Sequence, residues 1–195
     1  SPAQVFTEPL SLAEVRAFLR ITAMSPSDTD EDTLLESLIT AAREIAEIEQ
    51  STDLVQKQWD LNLDVFAQCE IELRKPLQSV DLVQYRDDTG ATTTLAEGTD
   101  YIVDTARGII TTPPGIAWPN FTAWPTSAIL IRFSSGYSTS HPFWSNAGQR
   151  ILQGMKLLIE QWYDERLPIV TTGQPNELPF AVRALLGYGA KNLVR

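Results

Sequence analysis

Gln56-Lys57-Gln58-Trp59-Asp60-Leu61-Asn62-Leu63-Asp64-Val65 is the stretch at which the chain changes its period. Before it, apolar residues return every third or fourth position. Within it they alternate, with Trp59, Leu61, Leu63 and Val65 set against Gln58, Asp60, Asn62 and Asp64. Strict alternation sends successive side chains to opposite faces, so this stretch is read as a half-buried strand. Cys69, Ile71 and Leu73 continue the pattern against Glu70 and Glu72. Beyond Pro76, residues 80–86 lose phase between Leu82 and Val83, which predicts a bulge or an edge there. Asp87-Asp88-Thr89-Gly90 has the chemistry of a hairpin turn and leads into residues 92–95. Residues 101–103 and 107–112 read as two short strands around a turn, and Ile129, Ile131 and Phe133 mark a last strand that Gly136 ends. The middle third is therefore expected to be a small antiparallel sheet.

Helical spacing governs both sides of this sheet. Ser11 with Glu14 three residues on has the form of a capping box, followed by Leu12, Val15, Phe18 and Leu19 on one side of a short helix. Residues 23–29 read as a loop. From about Asp30, the residues Leu34, Leu35, Leu38, Ile39, Ala42, Ile45 and Ala46 repeat at three and four. Glu36, Arg43, Glu44 and Glu47 take the other face. Asp30, Glu31 and Asp32 stand at the amino end of this helix, where free N–H groups favour negative charge. After the sheet, a helix beginning near Ser145 carries Ile151, Leu152, Met155, Leu158, Ile159 and Trp162. Residues 167–178 read as a polar loop, and Pro179 opens a last short helix with Val182, Leu185 and Leu186. The fold class is thus α+β: a small bundle of two N-terminal and two C-terminal helices with an inserted antiparallel sheet. Its parts are 1–54, 55–140 and 141–195, with the two helical parts packing as one body.

Composition narrows the function classes. The chain has 195 residues, 43% hydrophobic and 21% charged, enough apolar material for one core with an elaboration. No apolar run approaches the roughly 20 residues that cross a bilayer, and the amino end lacks a secretory layout, so no membrane role and an unexported chain, or a late portion of one, are expected. Charge is segregated. Residues 1–54 carry 11 acids against 3 bases, residues 55–145 carry 10 against 6, and residues 146–195 carry 4 against 6. Nothing resembles the clustered Lys and Arg of a phosphate-gripping surface. Opposite charge at the two ends favours head-to-tail contacts between copies.

The residues argue against a reactive centre. His141, the single histidine, precedes Pro142 in a loop, and no serine has a nucleophile-elbow context. Cys69 alternates with core positions and reads as a small hydrophobe. Asp28, Asp30 and Asp32 match the first positions of a calcium loop, but Thr33 and Ile39 stand where that loop needs glycine and glutamate. Asn120-Phe121-Thr122 is a formal glycosylation sequon, and Gly187-Tyr188-Gly189 lacks the strand and third glycine of a nucleotide site. No catalytic residue, cofactor or metal is expected. Trp118, Phe121 and Trp124 lie in a Pro-rich loop at 118–124. They are read first as sealing that loop onto its own domain, with a sugar or peptide platform as the alternative.

The order of these phrases resembles one family, the head–tail connector (adaptor) proteins of tailed bacteriophages. Glu8-Pro-Leu-Ser-Leu-Ala-Glu-Val-Arg-Ala-Phe-Leu-Arg-Ile21 is similar to the family's opening helix, and Asp30-Glu-Asp-Thr-Leu-Leu-Glu through Ala41-Ala-Arg-Glu44 to its acidic second helix. Gln58-Trp-Asp-Leu-Asn-Leu63, Pro76-Leu-Gln-Ser-Val80, Asp100-Tyr-Ile-Val-Asp104 and Ile131-Arg-Phe-Ser-Ser-Gly-Tyr137 resemble the longer members, which insert a sheet between helices. Gln161-Trp-Tyr163 and Pro179-Phe-Ala-Val-Arg-Ala-Leu-Leu186 complete the series over nearly the whole chain. Members tend to carry a glycine after the second helix, whereas Ser51 and Thr52 stand here. The resemblance implies a structural protein of the virion neck, made in the host bacterial cytoplasm and closed into a ring of about twelve copies. It would extend the channel below the portal protein and receive a stopper or tail-completion protein on the other side. Packaged DNA would pass through without sequence-specific binding. Gly187, Tyr188, Gly189, Lys191, Asn192, Leu193, Val194 and Arg195 would meet the portal. The aromatic loop would contact neighbouring subunits, and Asp30, Asp32, Glu36, Glu44 and Glu47 are the candidates for an acidic channel lining.

Overall fold

Ser11 opens the first helix in the way its spacing predicts. Its hydroxyl accepts the Glu14 N–H at 3.3 Å while the Glu14 carboxylate accepts the Ser11 N–H at 2.9 Å, so two otherwise unpaired donors are satisfied. The computed structural model describes residues 7–21, 29–67, 70–164 and 180–187. Among them the chain divides into two compact units, Val55–Tyr137 and the helical remainder of Thr7–Leu54 with the chain from Ser138.

The helical unit holds α1 (Leu12–Phe18), α2 (Thr29–Gln50), a short 3-10 turn (Pro142–Ser145), α3 (Gly148–Asp164) and α4 (Phe180–Gly187). α2 packs against the other three helices, burying Leu35, Ile39, Ala42 and Ala46 against Val15, Ile151, Met155, Ile159 and Leu186. α3 starts three residues later than its apolar pattern suggests. The residues around Ser145 form the 3-10 turn, whose first N–H is capped by the His141 ring: Phe143 N–H donates to Nδ1 at 3.1 Å. Gly148 and Gly154 permit close approach. A Cβ on Gly154 would stand 2.8 Å from Leu186 Cδ2, so α4 lies directly on the α3 backbone at this point.

α2 ends on Ser51, whose φ is +51°, with the Ser51 N–H donating to the Ile48 carbonyl and the Thr52 N–H to the Glu47 carbonyl. This is the Schellman closure, and its left-handed residue is the one a glycine fits without strain. Serine thus occupies a left-handed conformation that glycine adopts more readily.

The sheet unit contains two sheets, where the alternation alone suggests one. β1 (Lys57–Leu63), β7 (Ile129–Ser135), β3 (Leu77–Arg86) and β4 (Thr92–Thr94) form a four-stranded sheet in that order. β2 (Glu70–Glu72), β6 (Ile109–Thr111) and β5 (Ile102–Asp104) form a three-stranded one. All pairings between strands are antiparallel. Ile71, Leu73, Leu77, Val83, Ile110, Ile129, Ile131 and Phe133 share one core. β3 lies inside its sheet, not at an edge, and its phase slips are register shifts against β7 between Leu77 and Ser79 and between Val80 and Leu82. Bulges of this kind let ten residues serve two neighbours while keeping Val83 inward. Val65 departs from its alternating phase. β1 stops at Leu63, Asp64 turns to accept the Ser127 N–H at 2.7 Å, and Val65 is 71% exposed. Gly136, at φ +96°, is required: a Cβ there would lie 1.9 Å from the Val55 carbonyl oxygen.

Candidate functional site

The acidic residues of α2 separate into two groups: one is bonded to other elements of the chain, and the other stays exposed, with Glu44 Oε1 3.8 Å from Arg43 Nη2. Asp32 is bonded to Arg16 of α1, and Glu31 accepts the Tyr163 hydroxyl of α3, so acids that read as a helix cap tie three helices together. Glu47, expected on the surface, is buried. Its Oε2 accepts Arg43 Nη1 at 2.8 Å and its Oε1 accepts the Leu54 N–H at 3.0 Å. Arg43, itself 2% exposed, also donates through Nε to both oxygens of Glu8, at 2.9 and 3.2 Å. Burial follows because the segment carrying Glu8 lies over this flank of the helix, where it also accepts from the Thr40 hydroxyl at 3.1 Å. Glu47 is therefore withdrawn as a lining residue, and Asp32 is engaged with Arg16. Glu36 and Glu44 stay exposed. Asp30 lies in the first turn of α2, and its side chain is outside the described residues.

The aromatic loop is tied down by both backbone and rings. Trp124 N–H donates to the Arg86 carbonyl at 3.1 Å and Asp88 N–H to the Thr122 carbonyl at 2.9 Å, fixing the loop along the β3–β4 hairpin. Trp118 stacks on Phe66 with centroids 4.6 Å apart, Phe121 lies 4.3 Å from the Tyr85 ring, and the Arg86 guanidinium sits 4.0 Å over Trp124. The three aromatics are spent on their own domain, as the sealing reading expects, and each leaves only part of its ring to a neighbour. Beside them is a cleft of about 340 Å³ lined by Asp64, Val65, Phe66, Trp118, Asn120 and Phe121.

The outer face of the four-stranded sheet is polar and internally matched. Asp60 and Arg132 are directly opposite in the β1–β7 register and form a two-pronged pair at 2.7 and 2.8 Å. The Arg132 hydrogen bond holds the Asp60 carboxyl below its ordinary value of 3.8. Asp81 accepts from Ser79, Gln58 and Ser134. Partial desolvation pushes its pKa up, and those hydrogen bonds together outweigh it and bring it down. A face satisfied in this way offers no unpaired charge to a ligand.

His141 serves as the cap described above, with Nδ1 as acceptor. Cys69, Asp28 and the tail residues Tyr188, Gly189, Lys191, Asn192, Leu193, Val194 and Arg195 lie outside the described residues, while Gly187 closes α4. Among the described residues no three His, Cys, Asp or Glu side chains gather as a metal site, and no helix is long and apolar enough to cross a membrane. The ion network around Arg43 is the feature that sequence spacing missed. Only the Arg43/Glu47 spacing of four hinted at it, because Glu8 is 35 residues away.

Neither a protein-family model nor a curated protein sequence matches the chain. Solved structures do. A chain of the neck of an empty GTA particle, computed with C6 symmetry, is 25% identical, with 95% of each chain covered and a TM-score of 0.70. A chain from the neck of a native GTA particle, computed with C12 symmetry, is 23% identical over 95% of this chain and 94% of that one, with a TM-score of 0.64. A chain in the virion of a native gene transfer agent particle gives 23% identity, the same coverage and a TM-score of 0.66. The structural likeness to neck and virion components of a phage-like particle agrees with the resemblance to head–tail connectors carried by the sequence.

Proposed function

We propose that the chain is a structural adaptor in the neck of a tailed phage or phage-like particle, where copies of it form a ring below the portal and continue the DNA channel toward the stopper or tail. The observation that carries this reading is likeness over 95% of both chains, at a TM-score of 0.70, to a chain of a particle neck. A neck treated with sixfold or twelvefold symmetry is built from repeated copies, and this supports a ring for the present chain. The role is one of assembly and not of turnover. The side chains that composition singled out are spent on packing: His141 caps a turn, and the aromatic rings seal a loop.

Within the ring, Glu36 and Glu44, the candidates whose side chains stay exposed among the described residues, stand with Asp30 for the bore, because an acidic wall repels phosphates where a basic one would hold them. Residues 187–195 would reach the portal. Imaging purified particles with the chain labelled tests the reading. Label arranged around the axis of the neck is expected, and label on the tail shaft, on the capsid shell or absent from particles would overturn it.

A further inference from the structure

α2 carries more apolar surface than its own unit covers. Placing residues 100° apart around the axis gives the helix three faces separated by roughly a third of a turn. Leu35, Ile39, Ala42 and Ala46 form the first and are buried to 2% exposure or less. Thr33, Glu36 and Glu44 are exposed on the second, which they share with Arg43 and Glu47, buried beneath the segment that carries Glu8. The third consists of Leu34, Ala41, Ile45 and Ile48, a strip of the kind that marks a helix packed on two sides. Ile48 is 74% exposed and Leu34 37%. An isoleucine standing almost fully in water beside a continuous apolar strip is unusual on a surface otherwise rich in charge.

We propose that this strip is the docking surface for a second copy of the chain, arranged head-to-tail so that it meets the C-terminal helical half of that copy. The proposal rests on the ring reading and names the surface that would build it. Charge selects the arrangement. The 22 residues of α2 hold seven acids and one base, Arg43, which is already buried between Glu8 and Glu47. A twofold contact of α2 on α2 would set Glu44 and Glu49, which border the strip on its two sides, against their copies. The described residues of the C-terminal half instead carry three bases, Arg150, Lys156 and Arg183, against two acids, Glu160 and Asp164, and Arg183 on α4 is exposed. Contact between unlike surfaces repeats around an axis and closes a ring, whereas contact between like surfaces stops at a dimer. Four side chains cannot by themselves fill the roughly 800 Å² per partner of a stable interface. Their place is at its centre, as anchors within a wider polar contact.

Photo-crosslinking in assembled particles tests this. A benzophenone amino acid is placed at position 48, and separately at 36, 65 and 116, in cells that produce the particle, and purified particles are irradiated. Position 48 is expected to give a chain–chain product whose attachment maps to residues 146–187 of the second copy. Attachment to another protein, within the same chain, or to α2 of the second copy would overturn the proposal. If the other positions give chain–chain products and 48 does not, the surface is wrong and the ring stands; if no position does, the ring reading falls as well. As a second readout, Ile48→Ser is expected to leave the melting of the purified protomer unchanged while lowering its incorporation into particles at least several-fold. Equal incorporation, or a large drop in melting temperature, would overturn the assignment.

Discussion

Arg43 shows how much can rest on one side chain. Its side chain is 3% exposed and is answered by Glu8 and Glu47, with Glu44 at 3.8 Å, so these groups stand or fall together. Truncating the cation leaves Glu47 charged and buried without its main partner, and Arg43→Ala is expected to destabilise the helical unit by about 3–5 kcal/mol. Urea unfolding followed by α-helical circular dichroism measures this, and a loss below ~1 kcal/mol would show that the network is dispensable. Asp60 is a contrasting case because it is exposed. Its pKa is lowered in the folded state by Arg132, so the pair contributes stability above the unfolded value of 3.8 and loses it as pH falls through the lower folded value. Sheet stability is therefore expected to be level between neutral pH and about 5 and to fall below about 4. Asp60→Asn should flatten that fall, with the variant and the parent converging at the acid end. Melting curves at several pH values check it, and an unchanged acid slope in the variant would remove Arg132 as the cause.

Elements are set by close contacts that single letters announce only in part. Gly154 lets α4 rest on the α3 backbone, with Leu186 Cδ2 2.8 Å from where a Cβ would be. Gly154→Val should lift α4 at a cost of about 1–3 kcal/mol, seen as faster amide exchange in residues 180–187 while α1 keeps its protection. Exchange accelerated equally in all four helices would instead indicate global loosening. The helices and strands themselves were legible because period and capping chemistry agree at Ser11, along α2, across β1 and at the Asp87 turn. Three things were not. The split into two sheets depends on which strands pair across long gaps, β2 with β6 and β1 with β7, and period carries no information about partners. Val65 continues the alternation in sequence, but it lies past the end of the strand set by Asp64 and Ser127 and is exposed. Glu47 has the spacing of a surface residue and is buried because a segment 35 or more residues earlier covers it. Each miss is a tertiary contact overriding a local pattern, and the burial of Glu47 removes one of the five acids proposed for a channel wall.

At the scale of the whole molecule, the three faces of α2 meet the demands of a ring. A subunit in a closed collar needs one face for its own core, one for the neighbour and one for whatever passes through, and these cannot coincide. Glu36 lies about a third of a turn from Ile48, which leaves it available to a bore even when the strip is covered, whereas Glu44, four residues before Ile48 and about 40° from it, borders the strip. The prediction is tested by reversing the charge of Glu36, which is exposed and stands away from the strip, so Glu36→Lys should change protomer stability by no more than about 0.5 kcal/mol and leave ring assembly intact. If Glu36 lines the bore as proposed, the new lysine in every copy is a phosphate partner. Such contacts make adhesion fall steeply with salt, by roughly one power of ten in affinity per power of ten in salt for each phosphate neutralised. DNA release from purified variant particles is then expected to be slower than from the parent at low ionic strength, with the two rates converging as salt is raised. Rates that match at every salt concentration would place this carboxylate on the outside of the collar, and the avoidance of phosphate adhesion would have to come from another part of the chain.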